Sequence, residues 1–305
     1  MSVSFYVQNK KKFLGYEPVL NVETALSLLD KELYSYNTGN IDINDLLLSP
    51  VSNYQCLLIG DGKDSSRGFE LFYDNKDKYY SVRVFTPSSR EDWLLALEYI
   101  KALAKKFDSK IISETGEEYT AENIDKFDYE RDILYGIEVI SSRVKGDEPT
   151  LYSIFGINRV VSFNQEMIDK IENSDSPIDT FSNMVKEIQY LDAYSANQRF
   201  FKNKEDGRIR GAYTLTQNTR TILPYKPSVE FVNSDIVKNE DITFWDLGLV
   251  TIDGDENDKN SYNVAAYLNY DDFIKNLPEN KYRFIDASYI MVEPLNREEL
   301  LGLVK

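Results

Sequence analysis

Apolar positions along this chain recur with two different periods, and the changes between them outline its elements. Alternation near the start predicts a strand over residues 4–8, and Val22, Leu26 and Leu29, spaced to share one helical face, predict a helix after it. Strands are then expected at 54–59, 68–73 and 79–85. The segments Gly60-Asp61-Gly62-Lys63-Asp64 and Asp74-Asn75-Lys76-Asp77 between them are rich in turn formers, which implies an antiparallel meander, ended by Pro87. The clearest helix follows. Ser88 and Glu91 have capping-box spacing, Trp93, Ala96, Leu97, Ile100, Leu103, Ala104 and Phe107 form one apolar stripe, and Lys101, Lys105 and Lys106 suit the negative end of the helix dipole. A stripe of that width predicts a helix laid on a sheet. Beyond Ile111 and Ile112, the spacing of Ile133, Ile137, Ile140 and Val144 predicts a second long helix. Its glycine and proline stop, Lys145-Gly146-Asp147-Glu148-Pro149, marks the expected domain boundary.

The second half is richer in strand patterns. Weak alternation at 159–163 precedes two predicted helices, 164–171 and 178–190, the second with Phe181, Met184, Val185 and Ile188 facing inward. Strands are expected at 198–202, 209–215, 219–223, 243–252, 263–268 and 284–292, with a short helix at 272–277 and a terminal one from Arg297. The expectation is an α+β protein of two domains, 1–146 and 147–305, each a mainly antiparallel sheet covered by helices.

Composition narrows the chemistry. The 305 residues contain no histidine and one cysteine, Cys56, so the side chains that most often do chemistry near neutral pH are missing or nearly so. Cys56 is expected to be a small buried group in a strand, and a lone cysteine cannot form an internal disulfide. A net charge of −16 opposes nonspecific binding to nucleic acid or anionic membranes and favours a basic protein partner. The opening residues, MSVSFYVQNKKKF, place lysines after the apolar stretch, the reverse of a secretory signal. No run approaches the roughly 20 apolar residues of a membrane helix, and a cytoplasmic location is expected.

Familiar site motifs fail on inspection. Gly62-Lys63 is followed by Asp64 and lacks the four-residue lead of a phosphate loop; Asp253-Gly254-Asp255 opens like a calcium loop, but Asp258 and Val264 occupy its sixth and twelfth positions. Ser142 and Lys145 have Ser-x-x-Lys spacing at a helix end, where lysine suits the dipole, and Glu279-Asn280-Lys281 lacks a partner aspartate. No catalytic residue, metal site or cofactor is expected.

Charge is more informative. Residues 114–138 carry nine acids against Lys126 and Arg131, a net −7, and residues 235–258 carry eight against Lys238, again −7. Residues 199–226 run the other way: Arg199, Lys202, Lys204, Arg208, Arg210, Arg220 and Lys226 oppose only Glu205 and Asp206, with Phe200, Phe201, Tyr213 and Tyr225 interleaved. Arg199, Arg208, Arg210 and Arg220 are therefore the candidate residues for an anionic ligand, against the simpler reading of an internally neutralised hairpin.

Four stretches, Val82-Arg83-Val84-Phe85-Thr86-Pro87-Ser88-Ser89-Arg90-Glu91-Asp92-Trp93, Phe127-Asp128-Tyr129-Glu130-Arg131-Asp132-Ile133-Leu134-Tyr135-Gly136, Tyr225-Lys226-Pro227-Ser228-Val229-Glu230-Phe231 and Phe284-Ile285-Asp286-Ala287-Ser288-Tyr289-Ile290-Met291-Val292, resemble the bacterial family catalogued as domain of unknown function 4299. The resemblance covers nearly the whole chain and implies a cytosolic protein of Firmicutes such as streptococci, with no established activity. The expected function is non-enzymatic binding of a protein partner through acidic surface, as in an immunity-like or antagonist protein. The alternatives are a small-molecule or metal-binding enzyme or sensor using carboxylates, Tyr and Arg, and a homo-oligomeric structural component.

Overall fold

A computed structural model describes residues 1–39, 41–146 and 150–304. The chain divides into two compact units, Met1–Tyr190 and Leu191–Lys305. Both carry mainly antiparallel sheets with helices, so the fold class is α+β. The division comes between Tyr190 and Leu191 rather than after Gly146; residues 147–149 of the expected boundary lie outside the described residues.

The elements of the first unit are, in chain order, β1 (Ser2–Gln8), α1 (Val22–Leu26), β2 (Leu33–Ser35), α2 (Ile43–Leu48), β3 (Leu57–Asp61), β4 (Phe69–Asp74), β5 (Tyr79–Phe85), α3 (Arg90–Phe107), β6 (Ile111–Ser113), β7 (Glu118–Tyr119), α4 (Tyr129–Val144), β8 (Tyr152–Phe155), β9 (Val160–Phe163), α5 (Gln165–Glu172) and α6 (Pro177–Gln189). Seven strands form one antiparallel sheet in the order β2-β3-β4-β5-β1-β6-β7. The turn formers act through their side chains: Asp61 Oδ1 accepts from the amides of Lys63, Asp64 and Ser65, and Asp74 Oδ1 from those of Lys76 and Asp77. Phe5, Leu57, Phe69, Leu71, Val82 and Val84 alternate onto one face and are fully buried.

Helix α3 supplies much of the core. Its N-cap is Ser89, one residue beyond the expected Ser88, and it ends at Asp108 in the left-handed region. Trp93 meets Phe5 edge-on at 6.5 Å, and Tyr80 stacks on Phe107 at 4.9 Å. Helices α5 and α6, expected to open the second domain, pack against α4 in this unit. Lys145 bridges Asp169 at 2.5 Å and Glu172 at 2.7 Å, and Ser182 Oγ accepts from the Arg90 amide at 3.0 Å. Helix α1 is shorter than its spacing suggested and stops before Leu29, with Ser27 as C-cap.

The second unit holds two four-stranded sheets built from β10 (Tyr194–Ser195), β11 (Arg199–Lys202), β12 (Ile209–Thr216), β13 (Thr221–Pro224), β14 (Ile242–Ile252), β15 (Tyr262–Asn269), β16 (Tyr282–Phe284) and β17 (Tyr289–Val292). Their orders are β10-β13-β17-β16 and β11-β12-β14-β15. Two pairs, β12 with β14 and β10 with β13, are parallel, a departure from the meander pattern. The strand expected over 284–292 is a hairpin, because Asp286 Oδ1 accepts from the amides of Ser288 and Tyr289 and turns the chain. Both sheets share a core with α7 (Tyr270–Asn276) and α8 (Arg297–Gly302): Leu215, Leu247, Leu249, Leu223, Ile290, Phe273 and Leu300 meet there.

Candidate functional site

The fold of the second unit gives the four candidate arginines different settings. Arg199 and Arg210 lie on neighbouring strands β11 and β12, where Phe201 stands directly opposite Arg210. The guanidinium of Arg210 sits 4.7 Å from the Phe201 ring centroid and 4.9 Å from that of Tyr267, and bonds Asp246 at 3.1 Å. Arg208 folds back on Asp206 at 2.7 Å in the β11–β12 turn. Arg220, beyond the far end of β12, pairs with Glu293 at 3.0 Å. Arg199 makes no ion pair among the described residues, and it stands without a second unpaired arginine beside it.

On the opposite face of β12, Gly211 is required by its neighbour. A Cβ there would lie 2.1 Å from the Trp245 ring, which packs with Phe200 and Tyr213. Next to this aromatic group a hydrogen-bonded set anchors the long connection from β13 to β14. Gln198 Nε2 donates to the Tyr213 hydroxyl at 2.6 Å and to the Ser228 carbonyl at 2.7 Å; its Oε1 accepts from the Glu230 amide and from Asn233. Tyr213 in turn donates to Glu230 at 3.1 Å. Burial pushes the Glu230 carboxyl above its usual range, against the pull of the Tyr213 hydroxyl.

This anchoring gives residues 230–241 a fixed shape. Val237 points inward and is buried, whereas Phe231, Val232 and Ile236 are 75%, 71% and 78% exposed. Asp235, Glu240 and Asp241 are exposed on the same loop and make no ion pair among the described residues. The result is an apolar group edged by carboxylates on a loop held by part-buried hydrogen bonds. Its acidity is visible in the sequence. Its apolar side chains follow neither a period of two nor of 3.6, so no element claimed them, and exposed apolar residues between two strands were the available signal.

The first unit contains buried polar groups of another kind. Asp92, fully buried in the first turn of α3, accepts from the amides of Ser66, Arg67 and Gly68 and from the hydroxyls of Ser88 and Ser89. Arg67 donates to the carbonyls of Pro87 and Phe155 and lies 4.7 Å from the Phe85 ring; burial lowers its pKa to about 10, against the pull of Asp92. Cys56 is half-buried just before β3, not within a strand, with its sulfur 3.6 Å from Glu70 Oε1. Burial and that carboxylate raise its pKa, the opposite of what a nucleophilic thiol needs.

Asp132 accepts from Thr86 Oγ1 at 2.8 Å, its other oxygen is buried without a hydrogen-bond partner, and burial raises its pKa from 3.8 to about 6. A carboxyl with a raised folded pKa favours the fold when protonated, so the folded state loses stability as pH rises from about 4 through 6. Asp132→Asn is expected to remove that slope and to stabilise the protein by about 1–2 kcal/mol at pH 7, the shift being discounted for partial solvent access. Urea denaturation at pH 4, 5, 6 and 7 checks this; an unchanged slope in the variant would refute it.

Among the described residues, no three Asp, Glu or Cys side chains gather as a metal site requires, and no helix is long and apolar enough to cross a membrane. The family model described as domain of unknown function (DUF4299) matches residues 2–303. The chain belongs to this family. No curated protein and no solved structure matches it. The DUF4299 match takes in both units, so the anchored loop and the Asp92 group fall within one family domain.

Proposed function

We propose that this DUF4299 protein is a non-enzymatic binding module that takes a basic protein partner on residues 230–241. The observation that carries the reading is the exposure of Phe231, Val232 and Ile236 beside unpaired Asp235, Glu240 and Asp241. Protein interfaces draw most of their affinity from a few apolar or aromatic anchors, and surrounding charge selects the partner and speeds encounter. Because Gln198, Tyr213 and Glu230 already hold the loop, little ordering would be required on binding. Ion pairs on Arg208, Arg210 and Arg220 count against the alternative of an anion receptor in that segment. One form of the activity is an antagonist that masks the basic surface of another protein, in a cytoplasmic setting.

The test is affinity capture with three forms: the unaltered chain, Phe231→Ser with Ile236→Ser, and Asp235→Lys with Glu240→Lys and Asp241→Lys. The expected result is one basic protein retained at low salt, weakened by added salt because exposed charges are screened over roughly 8–10 Å, and lost with either variant. All five positions are exposed, so folding should be preserved. Retention that ignores both variants, or none by the unaltered chain, ends the reading.

A further inference from the structure

Two features of the first unit complement each other. Between β1 and α1 the chain makes a short hairpin: Lys11 bridges Tyr16, the Lys12 amide donates to Gly15 O, and the Glu17 amide donates to Lys10 O, both at 2.9 Å. Gly15, with φ of +87°, permits the reversal. The base is tied down by Asn9, whose amide donates to Lys78 O at 2.8 Å and whose side chain donates to Glu17 O at 2.9 Å. At the tip, Phe13 is 101% exposed and Leu14 87%. Lys12 reaches Glu17 at 3.6 Å; Lys10 and Lys11 make no ion pair among the described residues.

The second feature is an open cleft of about 440 Å³ beside α1 and α2. Leu26, Leu29, Leu33 and Leu47 line it together with Glu23, Asp30 and Glu32. Lys31, also in the lining, is already paired with Glu98 at 2.5 Å. The full exposure of Phe13 shows that the hairpin does not fill the cleft of its own chain.

We propose that the hairpin of one copy of this chain seats in the leucine cleft of a second copy. Phe13 and Leu14 enter among the leucines, and Lys10 and Lys11 face Glu23, Asp30 and Glu32. Two copies of a −16 chain repel, so association needs a local reversal of sign, and the three consecutive lysines beside an apolar tip supply one. Each copy carries both knob and cleft, so a pair related by a two-fold axis makes the contact twice and closes.

Sedimentation of the full chain up to about 1 mM tests this, since a weak pair has a dissociation constant in that range. The expected result is a monomer–dimer equilibrium weakened by salt. Phe13→Ser with Leu14→Ser should leave a monomer, as should Glu23→Lys with Asp30→Lys and Glu32→Lys. All five positions lie on the surface. A monomer at every concentration, or a dimer indifferent to either variant, would overturn the proposal. So would hairpin-dependent binding of the monomer to phosphatidylserine vesicles, which would assign the knob to a lipid surface. None of these substitutions touches residues 230–241, so the outcome is independent of partner capture.

Discussion

Replacing Asp92 with alanine is expected to lower the stability of the first unit by about 3–5 kcal/mol, the range found when one partner of a buried charged group is removed. Its carboxylate is fully buried and accepts three backbone amides and two hydroxyls. Removal strands those donors and also deprives the buried Arg67 guanidinium of the nearby negative charge that favours its ionised form. Asp92→Asn should lose less, because its amide oxygen still accepts although the charge is gone. Urea denaturation followed by tryptophan fluorescence suits the measurement, since Trp93 is the next residue and is fully buried. A loss below about 1 kcal/mol for the alanine variant would mean that water satisfies the donors as well as the carboxylate does.

Alanine at Gly136 is expected to cost about 2 kcal/mol, although the site is in the interior of helix α4, where alanine is ordinarily favoured over glycine by about 1 kcal/mol. A Cβ at this position would lie 2.5 Å from the Pro87 nitrogen and 2.6 Å from its ring carbons. Neither a backbone nitrogen nor a proline ring has a rotamer with which to yield, so α4 would have to move off the segment leading into α3, at a cost typical of overpacked cores. Gly302, at the end of α8, is the control: nothing lies within 4 Å of a Cβ there, and Gly302→Ala should be neutral or slightly stabilising. Equal effects at the two glycines would refute the steric account.

Elements with a long, consistent period were legible in the sequence. The strand expected at 79–85 is β5 without a shift, and the stripe from Trp93 to Phe107 is the buried face of α3. Short elements were not: β2 and β8, of three and four residues, are too brief to display a period. Leu29 satisfied helical spacing yet lies beyond the Ser27 cap, because three apolar residues in register do not determine where a backbone stops. Helix α4 does end just before Gly146, but membership of a unit is decided by what the following helices pack against. The Arg90 amide bonded to Ser182 of α6 and the Lys145 bridges to α5 keep them with the first unit.

The candidate site was legible in charge and illegible in arrangement. Seven basic residues within 199–226 are plain in the sequence, whereas the pairing of Arg210 with Asp246 and of Arg220 with Glu293 spans 36 and 73 positions. Asp92 carries no local signal in the sequence, since nothing nearby announces that the loop bearing Ser66, Arg67 and Gly68 returns to it.

The alternation of the two sheets along the second unit has a consequence for synthesis. Strands β11 and β12 belong to one sheet, β13 to the other, β14 and β15 to the first again, and β16 and β17 to the second. The last of these strands to be synthesised, β17, is an interior member of its sheet, bonded to β13 on one side and β16 on the other. Until Tyr289–Val292 has emerged, β13 and β16 have no strand to join them, and the apolar faces awaiting Ile290 and Val292 stay open. Every nascent chain therefore passes through a stage in which one unit can be complete and the other cannot, with exposed strand edges on which chaperones and proteases act.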